Sequence, residues 1–304
     1  MLKPTFIASK TEACSFLSKY NTFLFDCDGV LWLQSDVIPG AVETIHQLRE
    51  NKKNVYFLSN NSFRSRESYV KKFASLGFKG ITKDLIISSS YAVAQYVKDN
   101  VVSSKENKVY VIGGEGILQE FEELEIDYVT TPNLQDGVEP ENWCKFKKDS
   151  AVKSVVVGGD WYFNFRKMIE ATAYLSEDPT MPFISTNPDK YVPAAGFPGR
   201  LVPGTYSIIQ AIENCVNRQS FSVGKPNSYF YEILKKRFKF EDDSVLMVGD
   251  TLHTDICFGN NVGIATLLVM TGNDGQNKIE KALDDKLYNE IPQFVAPSIE
   301  VLKM

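Results

Sequence analysis

Asp26 and Asp28 stand two residues apart at the end of the apolar run Thr22-Phe23-Leu24-Phe25, and Gly29 and Val30 follow them. Residues i and i+2 share a face in a strand, and a strand that stops here can splay both carboxylates around one point. The carboxyl end of a buried strand is where an open α/β sheet places its ligands. One carboxylate can attack phosphorus or hold a metal while the other moves protons. The plainer alternative is a polar loop after a core strand, because short motifs recur by chance.

Three further stretches repeat the arrangement of an apolar run ending in polar chemistry. Ser59-Asn60-Asn61-Ser62 follows Asn54–Leu58; its hydroxyl and turn amides suit a phosphate oxygen, or serve only to turn the chain and cap a helix. Lys225 lies between Gly224 and Pro226 after Phe221–Val223. Proline biases its predecessor away from helix, and although most lysines are solvated surface groups, this one sits at a strand end. Val245–Val248 ends in Gly249-Asp250, with Asp255 five residues further on. Acidic oxygens suit Mg²⁺, while Asp255 has the alternative of capping a helical stretch over Ile256–Asn260. His46 reads as structural and His253 as no ligand. The glycine-rich spots at Gly113–Gly116 and Gly158-Gly159 lack complete dinucleotide or Walker spacing and read as turns.

Alternating strands and helices must position these groups. Strand-like runs fall at Thr22–Asp26, Asn54–Ser59, Leu85–Ser88, Lys108–Ile112, Lys153–Val157, Pro182–Ser185, Phe221–Val223, Ser244–Val248 and Ile264–Met270. Most are continuously apolar, as in strands covered on both faces. Helical patterns lie between them at Gly40–Asn51, Arg66–Leu76, Ser89–Asp99, Phe163–Ser176, Tyr206–Asn217 and Asn227–Phe238. This alternation predicts an α/β fold of parallel sheets with right-handed crossovers. Thr131–Ser150 reads as a surface excursion, and Pro193–Pro203, rich in proline and glycine, as a connection between domains.

The chain has 304 residues, which favours two domains or one domain with a large insertion. Its 43% apolar and 23% charged residues are those of an ordinary globular enzyme. A net charge of −5 argues against a broad nucleic-acid-binding surface. No stretch approaches the ~20 apolar residues of a membrane span, and Met1–Ser18 has no apolar core of signal-peptide type. The five cysteines, Cys14, Cys27, Cys144, Cys215 and Cys257, show no Cys-x-x-Cys spacing. A cytoplasmic, reducing location fits them best.

Asp26-Cys27-Asp28-Gly29-Val30, Ser59-Asn60-Asn61, Gly224-Lys225-Pro226 and Gly249-Asp250 with Thr254-Asp255 resemble, in order, the four motifs of the haloacid dehalogenase superfamily of Mg²⁺-dependent phosphatases. Phe183–Asp189 and Pro203-Gly204-Thr205 look like the branch containing 4-nitrophenylphosphatase, phosphoglycolate phosphatase and pyridoxal phosphate phosphatase. The resemblance covers nearly the whole chain. It implies a Rossmann-like parallel-sheet core, residues 1–97 and 201–304, with an α/β cap inserted as residues 98–200. Thr251 and His253 depart from the family's frequent Arg and Asp, and Tyr206 from its glycine; these differences bear on substrate more than on reaction.

By this resemblance Asp26 is the nucleophile that forms an aspartyl-phosphate, and Asp28 protonates the leaving alcohol and then deprotonates water. Mg²⁺ binds the Asp26 and Asp250 carboxylates and the Asp28 carbonyl, with Asp255 supporting from behind. Ser59, Asn60, Asn61 and Lys225 hold the phosphoryl oxygens. The implied partner is a small phosphomonoester, and related capped enzymes imply a homodimer through the cap. Val192 stands near the place where pyridoxal phosphate phosphatases carry a histidine, and valine donates no hydrogen bond. The expected substrate is therefore of the 2-phosphoglycolate type, with Lys190 or Arg200 as partners for its carboxylate. A pyridoxal phosphate phosphatase, or a silent binding protein on the same fold, is the alternative. Cys27, flanked by two carboxylates, is expected to be a poor thiolate.

Overall fold

The computed structural model describes residues 3–7, 16–104, 106–131, 144–193, 197 and 200–303, and these form two compact units. The first takes in residues 1–59, 69–87 and 225–304, and the second residues 60–68 and 88–224.

The first unit is built on a seven-stranded sheet among the described residues. Its order is Thr5–Phe6, Phe294–Ala296, Ala265–Val269, Val245–Gly249, Thr22–Phe25, Asn54–Ser59 and Ile86–Ser88. Neighbours run parallel from the first strand of that order to Asn54–Ser59. Every residue of Thr22–Phe25 and Val245–Gly249 is buried, which explains their uninterrupted apolar composition: both faces of a central parallel strand are covered. Phe25 pairs with Val248 on one side and Phe57 on the other. The three central strands therefore end almost level, and the next residues, Asp26, Ser59 and Asp250, emerge along one edge. Gly29, immediately beyond, has φ +90°, and a Cβ there would collide with the Asp250 carboxylate. Glycine meets both demands.

The second unit holds a five-stranded parallel sheet in the order Phe221–Ser222, Phe183–Ser185, Val152–Val157, Lys108–Ile112 and Tyr128–Val129. Helices Phe165–Glu177 and Thr205–Val216 close over it through Ala171, Tyr174, Leu175, Ile209 and Ile212. The unit extends on both sides of the 98–200 segment expected for a cap, because helices Ser89–Asn100 and Thr205–Val216 belong to it. It also claims the separate stretch 60–68. Arg66 is almost fully buried there, paired with Glu120 at 2.9 Å and Glu123 at 3.0 Å, its guanidinium 3.6 Å from the Tyr91 ring centroid. Ser62 Oγ accepts the Gly159 amide, and Ser90 Oγ donates to the Arg64 carbonyl.

Pro193–Pro203 is not a link between units. Its ends pair as an antiparallel ribbon, Tyr191–Pro193 with Leu201–Pro203, inside the second unit. A two-stranded ribbon leaves each strand an unpaired side, so prolines fit there and the composition misleads. Most of Thr131–Ser150, and Cys14, lie outside the described residues. Helices at Glu115–Glu123 and Gln276–Asp284 and short strands at Trp32–Leu33, Asp36–Val37 and Phe294–Ala296 join the elements expected from sequence. No helix among the described residues is long and apolar enough to cross a membrane.

Candidate active site

Lys225 organises the site. Its ammonium is 1% exposed and donates to Asp26 Oδ1 at 2.6 Å, Asp255 Oδ1 at 2.7 Å and the Leu58 carbonyl at 2.9 Å. Burial works to lower its pKa, but Asp255 and then Asp26 outweigh that penalty and hold it above an ordinary lysine's. The lysine is thus a fixed cation. Lys225 engages Asp26 through Oδ1.

Asp255 lies beside Asp26 and Asp250. Its Oδ2 accepts the amides of Asp250 and Thr251, both at 3.1 Å. A π-helical turn over Leu252–Ile256, running into helix Cys257–Asn261, presents it there; such turns often mark functional sites. Asp250, 2% exposed, receives the Asn273 amide at 2.7 Å and the Thr251 hydroxyl at 3.2 Å.

Asp26, Asp250 and Asp255 each offer an oxygen within 4.8 Å of the others, all buried. Fully ionised, the three carboxylates would outnumber the Lys225 ammonium by two negative charges. Burial, partly offset by Lys225, pushes Asp26 up to about 8, and burial followed by Asp255 and Asp26 pushes Asp250 well above the usual carboxylate range. Hard oxygen donors with such a surplus when ionised fit a divalent cation.

Ser59 and Asp28 lie in the same unit. The Ser59 hydroxyl is 2.7 Å from the Tyr69 hydroxyl. Asp28 has a half-exposed side chain whose Oδ1 accepts the Trp32 indole N–H at 2.8 Å and lies 3.6 Å from Lys72 Nζ. Sequence reasoning missed Tyr69, Trp32 and Lys72. The first and last are three residues apart on helix Arg66–Ser75, hence on one face, a spacing that by itself marks no function. Cys27 is fully buried, and burial, then Asp26 and Asp28, raises its pKa.

Asn60 and Asn61 fall in the second unit. Asn60 Nδ2 donates to Asp189 Oδ2 at 2.9 Å, and its carbonyl accepts from the Ser89 hydroxyl. Asn61 Oδ1 accepts the Phe63 amide at 2.9 Å, a local turn. Lys190, Val192 and Arg200 are exposed, Arg200 over the Phe197 ring, and His253 is exposed as well.

Comparison with known proteins identifies the family. Residues 23–127 match the model of the haloacid dehalogenase-like hydrolases, and residues 222–302 a second, HAD-hydrolase-like model. Phosphoglycolate phosphatase 2 of Arabidopsis thaliana is 39% identical over 278 residues, covering 90% of each chain. The chain belongs to the haloacid dehalogenase-like hydrolases. Human chronophin is 34% identical over 93% of this chain and 92% of its own. The 4-nitrophenylphosphatase of Thermotoga maritima superposes with a TM-score of 0.77 at 26% identity, covering 94% of this chain and 97% of that one. This HAD enzyme is accordingly a phosphatase. HAD phosphatases use a divalent metal, which the buried carboxylates here are suited to hold.

Proposed function

We propose that this HAD phosphatase hydrolyses a small phosphomonoester of the 2-phosphoglycolate type, with Mg²⁺ as its metal. The observation that carries the reading is the buried Lys225 bound both to Asp26, at the end of one strand, and to Asp255, in the helical turn that follows the adjacent strand, with Asp250 beside them. Asp26 and Asp250, with the Asp28 carbonyl, would hold Mg²⁺. When bound, it supplies positive charge that keeps Asp26 anionic and offsets charge on the phosphoryl oxygens.

In the first step an Asp26 carboxylate oxygen forms a bond to phosphorus as the P–O bond to the alcohol breaks, and Asp28 gives its proton to the departing oxygen. In the second step water attacks the phosphorus of the aspartyl-phosphate. Asp28 takes its proton, and the Asp26–phosphorus bond breaks to release phosphate. Lys225 and Ser59 hold the phosphoryl oxygens, with Asn60 and Asn61 assigned to the same task from their place in the motif. Most of the protein's contribution is this positioning and charge stabilisation.

The second unit is proposed as the family's inserted cap, and a homodimer through it as the assembly. The free cysteines Cys27, Cys144, Cys215 and Cys257 support a cytoplasmic location. The substrate class rests on the A. thaliana phosphoglycolate phosphatase relative and on Val192, which has no donor for a pyridine ring.

The test is a comparison of kcat/KM for 2-phosphoglycolate, pyridoxal phosphate and 4-nitrophenyl phosphate, with acid-quenched enzyme examined for phosphoryl-Asp26. Expected are a preference for 2-phosphoglycolate over pyridoxal phosphate and an adduct absent from Asp26→Asn, whose turnover falls by ~10⁴ or more. Preference for pyridoxal phosphate overturns the substrate, and near-normal turnover of Asp26→Asn overturns the nucleophile.

A further inference from the structure

The carboxyl group of Asp28 is half exposed, and an exposed aspartate in water samples several rotamers. Here one oxygen is engaged. Oδ1 accepts the indole N–H of Trp32 at 2.8 Å, and Lys72 Nζ stands 3.6 Å from the same oxygen. The indole itself is immobile. Trp32 is 0% exposed, packs edge-on against Phe73 at 4.9 Å and Phe78 at 6.0 Å, and carries the Lys72 ammonium 4.2 Å from its ring centroid. Its backbone is tied to the same turn, since the Gly29 amide donates to the Trp32 carbonyl at 2.8 Å. All these groups lie within the first unit.

Tryptophan has an N–H donor and no acceptor. The oxygen it holds acts as an acceptor, a role that the carbonyl oxygen of a carboxyl group fills better than the hydroxyl oxygen, which favours placing a proton on the other oxygen. The geometry points to Trp32 as the positioning residue of the acid–base carboxylate: with Lys72 beside it, the indole N–H fixes Asp28 Oδ1 and turns Oδ2 toward the reacting oxygens. This rests on the acid–base role proposed for Asp28. In the first step the Oδ2–H bond breaks as the leaving alkoxide takes the proton. In the second, a water proton returns to Oδ2 as the hydroxide oxygen bonds to phosphorus. Oδ1 keeps its two partners throughout. Neither Trp32 nor Lys72 touches the substrate in this account.

Leaving-group chemistry separates positioning from simple structural support. The alkoxide leaving 2-phosphoglycolate needs a proton, whereas 4-nitrophenolate departs readily as the anion. A well-placed general acid contributes roughly 10²–10⁴-fold, so the effect of misplacing it depends on the ester. Trp32→Phe keeps an aromatic ring and deletes the N–H. In the full chain it is expected to lower kcat/KM for 2-phosphoglycolate by about tenfold or more, with kcat/KM for 4-nitrophenyl phosphate within about threefold. Lys72→Met, made on a partly exposed helix face, is expected to show the same selectivity to a smaller degree, and it carries the test if the tryptophan variant does not fold. Added to Asp28→Ala, neither substitution should lower 2-phosphoglycolate turnover further. Equal losses on both esters, no loss on either, or additivity with Asp28→Ala would each overturn the inference. Asp28→Ala leaving both esters untouched would instead overturn the acid–base reading beneath it.

Discussion

Asp255 meets Lys225 with one oxygen and two successive backbone amides with the other, so a single carboxylate fixes both the cation and the turn that carries Asp250. It is 1% exposed and five residues beyond Asp250. A neighbouring Cβ would close this space: on Gly249 it would sit on the Asp255 side chain.

Asp255→Asn should therefore act at a distance from the phosphorus. Removing the charge loosens Lys225 and Asp250 together, and supporting contacts of this kind typically contribute 10–100-fold in metal affinity or activity. The expected result is a kcat/KM lowered by about that factor, with a correspondingly higher Mg²⁺ requirement in a titration of turnover. An unchanged Mg²⁺ requirement would show that Asp255 does not orient the metal ligands.

Metal binding should be visible without any turnover. A divalent cation lets the three buried carboxylates ionise together, so Mg²⁺ should raise the melting temperature of the wild type, an added stability of ~2.7 kcal/mol at a hundredfold excess over Kd. Asp250→Ala should abolish that shift, and EDTA should abolish activity. Full activity in excess EDTA contradicts the proposed metal.

How legible the site was depended on where its parts lay in sequence. Asp26, Ser59 and Asp250 each close an apolar run, and a buried parallel strand ending in a polar residue leaves a clear trace; Lys225 follows only the short, partly exposed strand Phe221–Ser222, and its place between Gly224 and Pro226 was the sign. The short strand Phe294–Ala296 left none, because three residues carry no periodicity. The ribbon of Tyr191–Pro193 and Leu201–Pro203 was masked by its prolines. Trp32 and Lys72 were invisible for a different reason. An indole and a lysine acquire a role only through which carboxylate they face, and that is set by the packing of helix Arg66–Ser75 on the sheet.

The ion pair Lys167–Asp160, at 2.7 Å with both side chains almost fully buried, belongs to the second unit and not to the chemistry. Lys167→Met should strand the Asp160 charge and destabilise the chain by about 3–5 kcal/mol. Adding Asp160→Asn should recover part of that loss. Chemical denaturation of the two variants measures it, and equal stability of single and double variants would count against a stranded charge.

Alkaline pH offers a test of burial. Tyr110 is raised above its ordinary value of 10.0, chiefly by burial, and its hydroxyl is 2.7 Å from that of Thr131. Tyr69 is raised well above the same value for the same leading reason. Below pH 10 both are protonated folded and unfolded, so their contribution is fully present. Above it the unfolded chain gains by losing those protons while the fold resists, so stability should fall from about pH 10 upward. Tyr110→Phe should flatten the decline measured by denaturation at pH 9 to 11, and an unchanged slope would count against it.

Arg66 lies in sequence between two stretches of the first unit, yet its charge is answered by Glu120 and Glu123 of the second. For anyone building chimeras between HAD phosphatases, this sets the cut sites. A graft that exchanged residues 88–224 alone would separate Arg66 from Glu120, Ser62 from the Gly159 amide, and Asn60 from Asp189. It would bury a guanidinium against a surface with no reason to receive it. The transplantable module is discontinuous, and residues 60–68 must travel with it.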